Sequence, residues 1–115
     1  SAPIKEYFVL PEQVKNTKTA WMSFPLTLTP QAPFAKNDLI RHLEYHNIQT
    51  RPVFTGNILK HPGFRNIPHR IISGGCPITN EITERGFVIG CHQGLEKKHL
   101  ERIRKVFKNF LKKYL

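Results

Sequence analysis

The last twenty-one residues constrain this chain most. Leu100, Ile103, Phe107, Phe110, Leu111 and Tyr114 recur at spacings of three and four, which puts large apolar side chains on one stripe of a helix over residues 95–115. A stripe of that width is stable in water only when another layer covers it, so the preceding residues must supply a sheet or helices to pack there. The other side of the same helix carries Lys97, Lys98, Arg102, Arg104, Lys105, Lys108, Lys112 and Lys113.

Those cations dominate the charge balance: 18 Lys and Arg against 8 Asp and Glu give a net charge of +10 over 115 residues. Such basicity raises the possibility of a nucleic-acid or acidic-membrane partner. Its concentration on one helix face favours long cationic side chains held in water. The aromatic residues of that helix fall on the apolar stripe and are not interleaved with the cations, so specific nucleic-acid recognition is not expected. Two readings stay open beside it: a small basic module gripping nucleic acid through residues 97–113, and a module that docks onto another protein.

The length sets one domain with one modest core. Cys76 and Cys91 have no CxxC or Cys/His neighbours at ligand spacing, which predicts buried free thiols and neither a disulfide nor a metal site. No cationic and apolar leader precedes the first strand, and no run reaches the ~18 apolar residues of a membrane span, so a cytoplasmic protein with no membrane partner is expected.

Residues 1–19 read as an arm leading into the domain, which itself covers 20–115. The run WMSFPLTLT (21–29) is a first strand, with Pro25 suggesting an edge or a bulge. Leu39, Ile40 and Leu43 recur at helical spacing over residues 34–46, with Asn37 and Asp38 in the first turn and Asn47 as a left-handed stop. Residues 48–54 form a second strand, Thr55-Gly56-Asn57 the turn after it, and 58–64 a short helical turn or loop. Residues 66–77 are connection; 78–85 form a short helix with Thr79 as a possible N-cap. The apolar run 87–91 is the third strand. The fold class is α+β: a two-layer sandwich with a small, mainly antiparallel sheet of about three strands and helices on one face.

Chemistry-bearing candidates are few. Arg51, in a β-favouring run, can aim a planar and permanently charged fork at a carboxylate or phosphate. Gly56 lets backbone approach a ligand, and the Asn57 amide offers both a donor and an acceptor. His92 follows an apolar strand at a glycine-flanked turn, where an imidazole can bond a substrate oxygen or move a proton. An edge-strand arginine, a common turn pair and an exposed loop histidine are the plain alternatives. No Gly-rich phosphate loop, Ser/His/Asp set or metal spacing is present, so the chain carries neither a catalytic residue set nor a metal centre of its own.

Several of these runs resemble the C-terminal small domain of the DegT/DnrJ/EryC1/StrS sugar aminotransferase family, in its nucleotide-hexulose 3-dehydrase branch. The segment IQTRPVFTGNIL (48–59) is similar to the family pattern Ile-x-Thr-Arg-x-x-Phe-x-Gly-Asn, and WMSFPLT (21–27) to its strand of Ser-Trp-Phe-Gly-Phe-Pro type. Ala32-Pro33-Phe34, Asn37-Asp38-Leu39 and Leu43-Glu44 resemble its next helix, and GFVIGCHQG (86–94) its closing strand. Gln93 and Glu84 depart from the branch, which often has Pro or His and Asn there.

The resemblance implies a cap over a cleft whose floor, with pyridoxal phosphate (PLP), belongs to a large domain outside this chain. Arg51, Phe54, Gly56, Asn57 and His92 would face substrate and cofactor, with Arg51, Asn57 and His92 gathered on one side of the sheet. It further implies a nucleotide-linked 4-keto sugar as substrate, dehydration or amination at its C3, and a homodimeric parent enzyme. No cofactor is expected on the 115 residues alone, which should be inert.

Overall fold

Helix α4 (Lys97–Leu111) buries Val106, Phe107, Phe110 and Leu111, and a 3-10 turn, Lys112–Tyr114, follows it. This computed structural model describes residues 2–115. The expected helix is present but its apolar stripe is shorter than its periodicity: Leu100 is 55% exposed and Ile103 is half-buried. The first two turns of α4 therefore bury no side chain fully.

The sheet has four antiparallel strands in the order β1-β2-β4-β3, from β1 (Phe8–Val9), β2 (Ser23–Leu28), β3 (Thr50–Arg51) and β4 (Gly86–Gly90). The fourth strand comes from the leading arm, where α1 (Ala2–Tyr7) runs straight into β1. Phe8 is core, and Thr29 secures the arm, its N–H donating to Tyr7 O at 2.9 Å and its hydroxyl to Glu6 O at 2.7 Å. Strand β2 is internal, contrary to the edge suggested by Pro25. The ring is accommodated because β1 pairs only with Thr27 and Leu28 and ends before Pro25, so no ladder donor is missed on that side.

Alternation along the strands sorts the two faces. Leu26 pairs with Phe87 and Phe24 with Ile89, and with Phe8 and Leu28 they form the face covered by α2 (Lys36–Tyr45) and α4. Phe87, Leu39 and Leu43 have no solvent exposure. Phe34 knits the layers together, meeting Phe110 edge-on at 5.0 Å and Tyr114 at 5.1 Å between ring centroids. The expected second strand, 48–54, is only two residues long: Pro52 has no N–H to donate, and beyond it the chain leaves the sheet. Helix α3 (Pro77–Arg85) starts two positions ahead of Thr79, with Cys76 as N-cap and Pro77 in its first turn.

Two long segments, 10–22 and 52–76, run over the outside with most of their residues exposed. They give the molecule a radius of gyration of 16.1 Å, where a compact domain of this length has about 13 Å. Its surface of 8984 Å² likewise exceeds the ~6,500 Å² of a compact monomer of 13.4 kDa. No helix among the described residues is long and apolar enough to cross a membrane.

Candidate functional site

The turn from α2 into β3 sets one wall of the site. Asn47 adopts the left-handed conformation expected of a helix stop (φ 59), and Ile48 drops into the core. Glu44 then receives both the N–H and the hydroxyl of Thr50, at 2.7 and 2.8 Å. The Thr50 N–H and then its hydroxyl hold the Glu44 carboxyl below the usual carboxylate range, with the charge of Arg51 adding a smaller share. Thr50 faces the core and pairs with Ile89; Arg51, next along the strand, pairs with Val88 on the opposite side and is exposed at the sheet edge. By anchoring Thr50, Glu44 decides the side to which Arg51 belongs.

The second wall is the turn from β4 into α4. His92 accepts the Gly94 N–H on Nδ1 at 3.1 Å, and a Cβ on Gly94 would lie 3.0 Å from that ring, so the absent side chain makes room for the imidazole. His99 accepts the Glu96 N–H on Nδ1 at 2.9 Å at the head of α4. One turn on, Arg102 Nη2 donates to His46 O at 2.6 Å, tying α4 to the end of α2. These walls border an open cleft of about 470 Å³ whose lining includes Arg51, His92, His99 and Arg102 together with Ile48, Ile89 and Ile103.

Arg51 and His92 are thus brought to one cavity, but Asn57, Gly56 and Phe54 are not part of its lining. Asn57 is engaged with α3: its N–H donates to Thr83 Oγ1 at 2.8 Å, its Nδ2 to Asn80 Oδ1 at 2.8 Å, and its Oδ1 receives the Leu59 N–H at 3.0 Å. Gly56 has φ +70 and presses against Thr83, whose Oγ1 would lie 2.5 Å from any Cβ there. Phe54 projects into solvent, 91% exposed. His99 and Arg102 are not among the sequence-based candidates, where Arg102 counts with the cations held in water. Their i, i+3 spacing, continued by Ile103, was the available signal.

No lysine is among the residues lining the cavity, so none of them could form a Schiff base with PLP there. Burial lowers the pKa of Lys36 from its ordinary value, against a smaller opposing pull from Glu84. Its Nζ donates to Thr83 O at 3.1 Å and Gly86 O at 3.4 Å, which is a structural use. Cys76 is exposed, not buried as its isolation in the sequence suggested; Cys91 is half-buried, and both are free thiols. Among the described residues no group of His, Cys, Asp and Glu is arranged to hold a metal ion.

Residues 2–108 match the family model described as the DegT/DnrJ/EryC1/StrS aminotransferase family. The chain is 31% identical over 105 residues to the lipopolysaccharide biosynthesis protein RfbH of Salmonella typhimurium, covering 91% of this chain and 24% of that protein. It is 30% identical over 107 residues to a dTDP-4-dehydro-2,6-dideoxy-D-glucose 3-dehydratase of Saccharopolyspora spinosa, covering 91% of this chain and 22% of the relative. Among solved structures, the E. coli GDP-4-keto-6-deoxy-D-mannose-3-dehydratase with bound hydrated PLP superposes with a TM-score of 0.75 at 20% identity, over 88% of this chain and 25% of the other. The chain spans about a quarter of the length of the proteins it matches.

Proposed function

The chain belongs to the DegT/DnrJ/EryC1/StrS aminotransferase family, and on that footing we propose that it is the C-terminal cap domain of a PLP-dependent nucleotide-sugar 3-dehydratase or aminotransferase. In this reading a large domain holds PLP and the floor of the cleft. The present domain closes over it, with Arg51, Phe54, Gly56, Asn57 and His92 on the side turned to the cofactor and a nucleotide-linked 4-keto sugar. The bound cofactor supplies an electron sink for chemistry at C3. The residues of this chain position the sugar and exclude water, and the domain alone is inert. The assembled enzyme is read as a cytoplasmic homodimer.

The observation that carries this reading is the surface the domain leaves bare. Phe54 is 91% exposed, Ile72 74% and Ile78 71%, on or beside the projecting segment that follows Arg51. The surface exceeds that of a compact monomer by about 2,500 Å², which leaves ample area for a partner to cover. A self-contained binding module has no use for these side chains in water. The sugar class is supported by the names of the relatives, two of which are 3-dehydratases of dTDP- and GDP-linked keto sugars.

The test is Arg51→Ala in the protein that carries this domain joined to a PLP-binding one. Loss of a charged hydrogen bond to substrate, about 1.5–3 kcal/mol, should lower kcat/KM some 10- to 150-fold while PLP content and melting temperature hold. An unchanged kcat/KM overturns the site reading. A stoichiometric, borohydride-trapped lysine adduct on the 115-residue chain would overturn the division of labour between the domains.

A further inference from the structure

We propose that the exposed side of α4 is a docking surface for an anionic phospholipid bilayer, held by Arg104, Lys105, Lys108 and Lys112 together with the exposed Leu100. The inference goes beyond the cap reading and does not depend on it. No helix among the described residues is long and apolar enough to span a bilayer, and a contact at the bilayer surface needs none.

The charge pattern changes along α4. Lys97 pairs with Glu101 at 4.0 Å and Lys98 with Glu96 at 3.2 Å, so the cations of the first turn have acids beside them. Arg104, Lys105, Lys108 and Lys112 are exposed, and none of them forms an ion pair among the described residues. Glu101 borders the group, which leaves four cations against one carboxylate. Arg104, Lys108 and Lys112 occupy successive i, i+4 positions, where like charges repel and cost the helix stability. The helix dipole offsets that cost for Lys108 and Lys112 at the C-terminal end, but not for Arg104 and Lys105 a turn further back. A negatively charged bilayer turns the same four side chains from mutual repulsion to attraction, each of them adding to the binding.

Leu100 decides which polyanion fits. It shares the i, i+4 row of Arg104 and Lys108, and it is 55% exposed while Val106, Phe107, Phe110 and Leu111 of the same helix are buried. Beside a row of cations, a leucine gains by entering the boundary between headgroups and acyl chains, whereas the phosphates of a nucleic acid offer it nothing. Leu115, 74% exposed, follows the 3-10 turn at the other end of the group. The aromatic residues that base stacking requires, Phe107 and Phe110, are in the core. A folded acidic protein would have to match the shape of this face; lipid headgroups move laterally and collect beneath the cations.

The experiment sediments the 115-residue chain with large unilamellar vesicles made of phosphatidylglycerol and phosphatidylcholine in equal parts, or of phosphatidylcholine alone. The mixed vesicles should carry the protein down saturably, and phosphatidylcholine alone should not. Lys105→Gln/Lys108→Gln should weaken binding to the mixed vesicles by about tenfold or more. Lys15→Gln/Lys18→Gln, which removes the same charge from the exposed segment 10–22, should leave it nearly unaltered. Leu100→Ala should weaken it severalfold with the amide spectrum and urea midpoint kept. Absence of binding to the mixed vesicles, equal binding to both vesicle types, equal losses in the two double variants, or wild-type binding by Leu100→Ala would each overturn the inference. So would a Lys105→Gln/Lys108→Gln variant that loses affinity for duplex DNA but not for vesicles, a result that assigns the face to nucleic acid.

Discussion

Asn57 Nδ2 donates to Asn80 Oδ1 at 2.8 Å, and through that bond the segment after Arg51 is fastened to α3, the helix that leads into the central strand β4. The same side chain caps the 3-10 turn Ile58–Lys60 through Leu59 N–H. Asn57 thus acts first on the path of its own loop, which carries the exposed Phe54.

Removing that fastening should loosen the loop before it unfolds the domain. Asn57→Ala loses a cap and a cross-segment bond, together about 1–3 kcal/mol, and should appear as faster amide exchange at Leu59 and faster proteolysis within residues 52–60. Gly56→Ala should cost at least about 1 kcal/mol, since alanine at positive φ is strained and its Cβ would collide with Thr83. Exchange rates at wild-type values in both variants would show that the loop is held by other contacts.

The stripe of α4 divides into a buried half and an exposed half, and paired substitutions should separate them. Phe107→Ala opens a cavity among Phe8, Phe110 and the sheet and should cost about 3–5 kcal/mol. Leu100→Ala, two stripe positions earlier and 55% exposed, should change stability by about 0.5 kcal/mol or less. Urea unfolding of the two variants checks the contrast; similar losses would mean that Leu100 is buried in solution.

Stability should fall as pH drops through the histidine range. His42 donates from Nε2 to Val106 O at 3.2 Å, and its ring lies 4.4 Å from that of His46 between α2 and α4. Burial lowers its pKa from the ordinary 6.5, outweighing the bond to Val106, and the charges of His46 and Lys113 push the same way. The folded state therefore prefers the neutral ring, while the unfolded chain takes up the proton at higher pH. The associated stability is complete above 6.5 and is lost as pH falls below it. Urea midpoints at neutral pH and one to two units lower should show the decline, and His42→Gln, which can still donate to Val106 O, should flatten it. A slope unchanged in that variant would assign the effect elsewhere.

The cationic face of α4 should bind nucleic acid only as a polycation does. At physiological salt its affinity for duplex or single-stranded DNA should be no better than about 10⁻⁴–10⁻⁶ M and should drop steeply as salt rises. Phe107 and Phe110 are buried in the core and unavailable for base stacking. Sub-micromolar, sequence-dependent binding under those conditions would favour the nucleic-acid module after all.

What the sequence by itself determined is local. The 3.6-residue recurrence of Leu39, Leu43, Phe107, Phe110 and Leu111 placed both packing helices, and the compact run around Phe87 placed the inner strand, because periodic burial is written in neighbouring residues. Asn47 as a helix stop is legible for the same reason. The tertiary structure alone decided that a two-residue piece of the leading arm completes the sheet, since Phe8 becomes a strand residue only by pairing with Leu28. It also decided that Leu100 leaves the core, that Asn57 turns to Asn80, and that His99 and Arg102 share a cavity with Arg51 and His92. Each of these depends on partners far apart in the chain, whose meeting is set by strand order and helix packing and leaves no periodic trace in the residues themselves.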